Sequence, residues 1–170
     1  ANYYIHSPQY KVYFHIIGDF FSPREREEYM SIIKENHLAP YVILHGRQAG
    51  QMLDLLFELC DFGIGSLGRH RSGITNIKTL KNREYAARGI PFIYSEIDED
   101  FENMPYIMKI PANEEAVDIK QILNFYNQLH ITPLEIRNSI RHLSWNNQMK
   151  KVLDEMQKKD KINPNNNNIG

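Results

Sequence analysis

Only one cysteine, Cys60, stands in the 170 residues. A lone thiol excludes an internal disulfide and any zinc site built on cysteine ligands, and it fits a reducing compartment. No apolar run comes near the roughly 20 residues needed to cross a bilayer, and no secretory pattern opens the chain. Neither sign of charge is in excess. A formal net charge of −1 exerts no global pull on nucleic acid or an anionic membrane, so any anion must be held locally. Internal repeats are absent, and the histidines show no paired spacing that would build a metal site, so no metal and no cofactor are expected.

What is present is a globular composition. With 42% hydrophobic residues, ten Tyr and eight Phe, the chain has material for a genuine core in one domain. Both ends read differently. Ala1-Asn2-Tyr3-Tyr4-Ile5 begins as though cut from a longer helix, with no first strand before it. Asn163-Pro164-Asn165-Asn166-Asn167-Asn168 is polar and of low complexity. The expected organisation is one domain over residues 1–160 and a disordered tail over 161–170.

Between the ends, strands and helices alternate. Residues 11–17 are apolar and β-rich, and Ser22-Pro23-Arg24-Glu25 then supplies an N-cap, a first-turn proline and a capping glutamate for a helix to about His37. Further strands are expected at 41–44, 62–66, 91–94 and 106–110, with helices at 52–59 and 79–88. The last third reads as three helices, at 114–129, 133–143 and 145–159. This order predicts an α/β fold: a five- or six-stranded parallel sheet between helices, followed by a helical C-terminal segment.

The most informative stretch runs Thr79-Leu80-Lys81-Asn82-Arg83-Glu84-Tyr85-Ala86-Ala87-Arg88-Gly89-Ile90-Pro91. Leu80, Tyr85 and Ala87 are expected to pack on the sheet, while Lys81 and Glu84, three apart, share a helical face near the N-terminal end. Gly89 and Pro91 stop the helix before the apolar Phe92-Ile93-Tyr94. Upstream lies the basic loop Gly65-Ser66-Leu67-Gly68-Arg69-His70-Arg71-Ser72-Gly73. A loop of this kind before a helix N-terminus is where an α/β sheet holds an anionic ligand.

Two other motifs fail on context. Gly63-Ile64-Gly65-Ser66-Leu67-Gly68 spells the dinucleotide fingerprint, but no helical period follows its third glycine as that fingerprint requires. Ser66, His70 and Asp61 supply the residue types of a hydrolytic triad without a nucleophile elbow. Glu84 also has a plain reading, as a surface acid paired with Lys81 or Arg88.

Lys81-x-x-Glu84-Tyr85-x-Ala87-x-Gly89-Ile90-Pro91 resembles the donor-binding signature of the large retaining family, numbered four, of glycosyltransferases with the two-domain GT-B architecture. Ile16-Ile17-Gly18-Asp19, Val42-Ile43-Leu44-His45-Gly46, residues 53–67 and Ser144-Trp145 match further elements of that family in order and spacing. The resemblance implies a Rossmann-like half of a GT-B fold that binds a nucleoside-diphosphate sugar, with the acceptor domain and the first strand elsewhere in a longer protein. It implies transfer to an acceptor hydroxyl, glycan or lipid-linked, in bacterial surface polysaccharide synthesis. It further implies a cytoplasmic location, at the inner face of the plasma membrane for the full protein, and no activity for the isolated piece.

By the same resemblance Glu84 accepts the ribose hydroxyls, whose two protons suit the two oxygens of a carboxylate. Lys81, with the backbone around Thr79 and Leu80, holds the diphosphate. Lys81 and Arg47 then stabilise the departing charge, and Gly46 and Arg47 lie near the base. Ser66 and Asn76 complete the donor site, Asn76 standing where the family has a second glutamate that contacts the sugar. That departure leaves the sugar open. The alternative reading is a non-catalytic α/β module for regulation or protein interaction.

Overall fold

The computed structural model describes residues 1–5 and 8–162. In chain order they form α1 (Asn2–Ile5), β1 (Phe14–Ile17), α2 (Pro23–Glu35), β2 (Val42–Gly46), α3 (Gly50–Glu58), β3 (Gly63–Ile64), α4 (Leu80–Arg88), β4 (Phe92–Tyr94), β5 (Ile107–Lys109), α5 (Ile119–Asn127), α6 (Pro133–Ser139) and α7 (Trp145–Ile162). Short 3₁₀ turns fall at Arg69–Ser72 and Arg141–Leu143. The chain divides into two compact units, one of Ala1–Asp61 with Glu115–Asn127, the other of Phe62–Glu114 with the chain from Gln128 onward.

In the first unit β1 and β2 pair in parallel, Phe14 opposite Val42 through Ile16 opposite Leu44, with an irregularity that then sets Ile17 opposite Gly46. The irregularity makes His45 the extra residue of β2, and its Nε2 lies 3.0 Å from Nδ1 of His15. Burial, and then the neighbouring His45, lower the pKa of His15. Ser22 caps α2 as its sequence predicts: its side chain accepts the Glu25 N–H at 3.1 Å, with Pro23 in the first turn. Glu25 Oε2 accepts the Phe21 N–H at 2.6 Å, one residue before the cap. Helix α5 starts at Ile119 and not at 114, because Asp118 Oδ1 accepts the Lys120 N–H at 2.9 Å and so caps a later start.

The second unit is built on a three-stranded parallel sheet in the order β3, β4, β5, with Gly63 opposite Phe92 and Phe92 opposite Ile107. Phe92, Ile93 and Tyr94 are fully buried, and Phe92 and Tyr94 meet Ala86, Phe101, Tyr106, Ile136 and their neighbours in the core. All strand pairing is parallel, as the alternating pattern predicts, and the mixed α/β architecture is consistent with a Rossmann-like fold. The strands nevertheless form sheets of two and three, where a single sheet was expected. β3 is only two residues long and pairs on one edge alone among the described residues.

Helix α4 buries a different stripe from the one its sequence suggested. Asn82 and Ala86, four apart, are fully buried, and the Tyr85 ring packs 5.7 Å from Phe92. Leu80 is 83% exposed, because it stands outside that stripe in the first turn. Gly89 ends the helix at φ +77°, and its missing Cβ is needed twice over: a Cβ there would stand 2.5 Å from the carbonyl oxygen of Pro133. Thr132 and Glu135 form a reciprocal capping box that starts α6 at Pro133. The last helix reaches Ile162, so residues 161 and 162 are helical where a tail was expected, and the rest of that expectation lies outside the described residues. Its stripe of Met149, Val152, Leu153 and Met156 is exposed.

A buried polar network joins α4 to the segment after β4. Asp98 is fully buried, and Arg83 grips both of its oxygens at 3.2 Å while Asn82 Nδ2 donates to Oδ2 at 3.1 Å. Arg83 also pairs with Asp100, donates to the Thr79 carbonyl at 3.0 Å and stacks over Phe101 at 5.5 Å. Removing one partner of such a pair strands the other. Asp98→Ala is therefore expected to destabilise the protein by roughly 3–5 kcal/mol in urea unfolding, whereas Arg24→Ala, which breaks an exposed pair with Glu28, should change stability by less than about 1 kcal/mol.

Candidate functional site

The carboxyl ends of β3 and β4 open onto one group of loops in the second unit. After β3, Gly65 N–H donates to the Ile93 carbonyl at 2.8 Å, and the Ser66 carbonyl accepts the N–H and hydroxyl of Ser95 at 3.0 and 3.2 Å. A Cβ on Gly65 would fall 2.6 Å from Asn82 Oδ1, so the glycine admits that buried amide. After Gly68 the chain makes a 3₁₀ turn and not an α-helix, which removes the structural context of the dinucleotide fingerprint. The segment leading to α4 is pinned by a parallel bridge of Asn76 with Ile97, the Ile77 N–H donating to the Ile97 carbonyl at 2.8 Å.

Glu96 holds the basic turn in place. Its side chain is fully buried, and Oε1 accepts the backbone N–H groups of Arg69 at 2.6 Å and His70 at 3.3 Å. On the outer side Glu114 accepts His70 Nε2 at 2.8 Å and pairs with the Arg71 guanidinium. Among the described residues, neither Arg69 nor Lys81, the second residue of α4, has an acidic side chain within ion-pair distance. Protein crowded around the ammonium, and then the positive charge of Arg69, lower the pKa of Lys81. Lys81 is nevertheless exposed by area, so the crowding is not enclosure.

Thr79 occupies the N-cap position of α4 without capping it. Its hydroxyl oxygen is buried and has no partner, as are His70 Nδ1, Asn82 Oδ1 and Glu96 Oε2; these are the only such atoms among the described residues. With no acidic partner for either cation among the described residues and no side-chain cap, this end of α4 is electropositive.

The sequence-predicted residues divide between the units. Ser66, Asn76, Thr79, Leu80, Lys81 and Glu84 belong to the second; Gly46 and Arg47 belong to the first. Of the six, Lys81 and Thr79 stand at the uncapped helix start, and Leu80 contributes backbone there. Ser66 uses its carbonyl to hold Ser95. Asn76 is exposed, and its amide donates to Thr75 Oγ1 at 3.2 Å. Glu84 is half exposed and accepts Arg88 Nε at 2.6 Å, which is the surface pairing foreseen as its plain reading. In the first unit Gly46 ends β2 at φ +65°, and Arg47 pairs with Asp19 at 3.3 Å in an exposed position. The sequence reading missed Glu96, Asn82 and Asp98. The signal for the two acids was an acidic run directly after a fully apolar strand, where a carboxylate must either face solvent or find buried partners.

Among the described residues no three or more His, Cys, Asp or Glu are placed to hold a metal together, and no helix is long and apolar enough to cross a membrane.

The Glu114 carboxyl is drawn down to about 2, by the Arg71 hydrogen bonds first and His70 second. A depressed folded value means that its contribution is present above the ordinary carboxylate range and is lost as pH falls through about 2. Carboxyl-detected NMR should place the Glu114 midpoint near 2, and Arg71→Met should raise it toward the ordinary range. A midpoint unmoved by that substitution would mean the ion pair does not form in solution. No protein-family model, curated protein or solved structure matches this chain.

Proposed function

We propose that this chain is the nucleotide-sugar-binding domain of a retaining glycosyltransferase of the GT-B type. The observation that carries the reading is the pair of uncompensated cations, Lys81 and Arg69, at the uncapped N-terminus of α4, beyond the carboxyl ends of a parallel sheet. A diphosphate is the ligand such a place suits, since it meets two positive charges and idle backbone N–H groups together. The matched signature from Lys81 to Pro91 adds the nucleoside and sugar to that diphosphate.

In this reading Lys81 and the amides around Thr79 and Leu80 hold the diphosphate and stabilise the charge that develops on it as the glycosidic bond breaks. Glu84 accepts the ribose hydroxyls. Its bond to Arg88 is an exposed i,i+4 pair, worth roughly 0.3–0.5 kcal/mol, so exchanging it for a diol costs little. Arg47, Gly46, Ser66 and Asn76 remain assigned to the donor site by the resemblance alone. The acceptor, glycan or lipid-linked, would be bound outside this chain, in surface polysaccharide synthesis at the cytoplasmic face of the membrane. The second reading, a non-catalytic α/β module, is favoured by the same Glu84–Arg88 pair, which gives Glu84 a purely structural use.

Calorimetry separates the two. The parent domain should bind a nucleoside diphosphate. Glu84→Gln should weaken both nucleoside and diphosphate binding by roughly 1.5–3 kcal/mol, and Lys81→Met should weaken the diphosphate form while sparing the nucleoside. Unchanged affinities in Glu84→Gln would end the ribose assignment. A parent that binds no nucleotide would leave the non-catalytic module.

A further inference from the structure

Two histidines thirty residues apart meet in the first unit. His15 stands on β1 opposite Ile43 of β2, and His45 is the extra residue that the irregularity inserts before Gly46. Nδ1 of His15 and Nε2 of His45 lie 3.0 Å apart, with the rings nearly parallel at 19° and their centroids 5.1 Å apart. Backbone bonds fix the chain on both sides of the pair. The Phe14 N–H donates to the Tyr41 carbonyl at 2.7 Å, the Gly18 N–H to the Gly46 carbonyl at 2.8 Å, and Gln48 Nε2 to the His45 carbonyl at 2.7 Å. Both histidines are half-buried and keep part of their surface in solvent.

As a hydrogen bond between neutral imidazoles the contact is ordinary, one nitrogen donating and the other accepting. It also has the spacing of two ligands on one cation. With metal–nitrogen bonds of roughly 2.0–2.1 Å, nitrogens 3.0 Å apart subtend about 90–100° at the metal. That angle suits adjacent positions of a square-planar or tetragonal cation, whereas tetrahedral zinc would set the nitrogens about 3.3 Å apart. Burial first and His45 second lower the His15 pKa, which favours the neutral imidazole that a metal requires.

We propose that His15 Nδ1 and His45 Nε2 together chelate one divalent cation of the copper and nickel class, at an open site in the first unit. Among the described residues no third His, Cys, Asp or Glu joins the pair, so water or an external ligand fills the other positions. The proton shared between the rings moves to the other nitrogen of the ring that carries it. The cation therefore takes two lone pairs, and the neutral pair loses no proton. The inference is independent of the donor-domain reading, whose cations, Lys81 and Arg69, belong to the second unit.

Ni²⁺ is the probe, titrated calorimetrically into the parent chain, His15→Ala, His45→Ala and His142→Ala in a buffer that does not chelate metal. His142 is an exposed histidine away from the pair and serves as the control. The parent is expected to bind Ni²⁺ at a single strongest site that His142→Ala retains, and His15→Ala and His45→Ala should each weaken that site about tenfold or more. Unchanged affinity in either of those two variants, or a parent that binds no Ni²⁺, overturns the proposal. Zn²⁺ binding more tightly than Ni²⁺ at this site would overturn the assignment of the cation. If circular dichroism shows that a variant is not folded, the parent alone decides: paramagnetic Ni²⁺ below one equivalent should broaden the imidazole NMR signals of His15 and His45 together, ahead of the other histidines. Broadening that spares either ring, or that begins at another histidine, overturns the proposal.

Discussion

Asp98 is a carboxylate shut away from water, and Arg83 and Asn82 make that burial tolerable by meeting its oxygens from successive positions of α4. The contacts around the start of α4 are arranged about this one. Because Arg83 also donates to the Thr79 carbonyl, the first turn of α4 is fixed against the segment that leaves β4. That segment carries Glu96 two residues earlier, and Glu96 in turn folds the basic loop. On the far side Glu102 accepts the Asp98 N–H, the Tyr94 hydroxyl and Lys109. Burial alone would raise the Glu102 pKa, but the donors of Lys109, Tyr94 and Asp98 outweigh it and hold it low.

The electrostatics of the loop region show a division of labour among its acids. Asp98 and Glu114 are matched by guanidinium groups, and their cations are consumed in holding structure. Among the described residues, Arg69 and Lys81 are not matched. Desolvation first, and then the charge of Arg69, lower the Lys81 pKa. Retaining two repelling cations while the surrounding cations are paired is the arrangement a site needs if an anion is to arrive from solvent.

Local chemistry was legible in the sequence. Ser22 with Pro23, and Gly89 with Pro91, mark element boundaries because each supplies a specific donor, acceptor or dihedral that few other residues supply. The run Phe92-Ile93-Tyr94 announced a buried parallel strand for a similar reason. Long-range partners were not legible. Asn82 and Asp98 are sixteen residues apart and look like surface residues until the fold makes each the other's solvent. The stripe of α4 was misplaced because a buried asparagine counts as polar in any periodicity, which shifted the apparent apolar face onto Leu80. His15 and His45, thirty residues apart, meet only because β2 carries an extra residue.

The empty cap of α4 has a consequence for its hydrogen bonding. The first turn is held through side chains, by Arg83 on the Thr79 carbonyl and by Asn82 on Asp98, while the N-cap side chain accepts none of its amides. An acceptor arriving from outside would therefore complete the bonding of a turn whose backbone is already ordered.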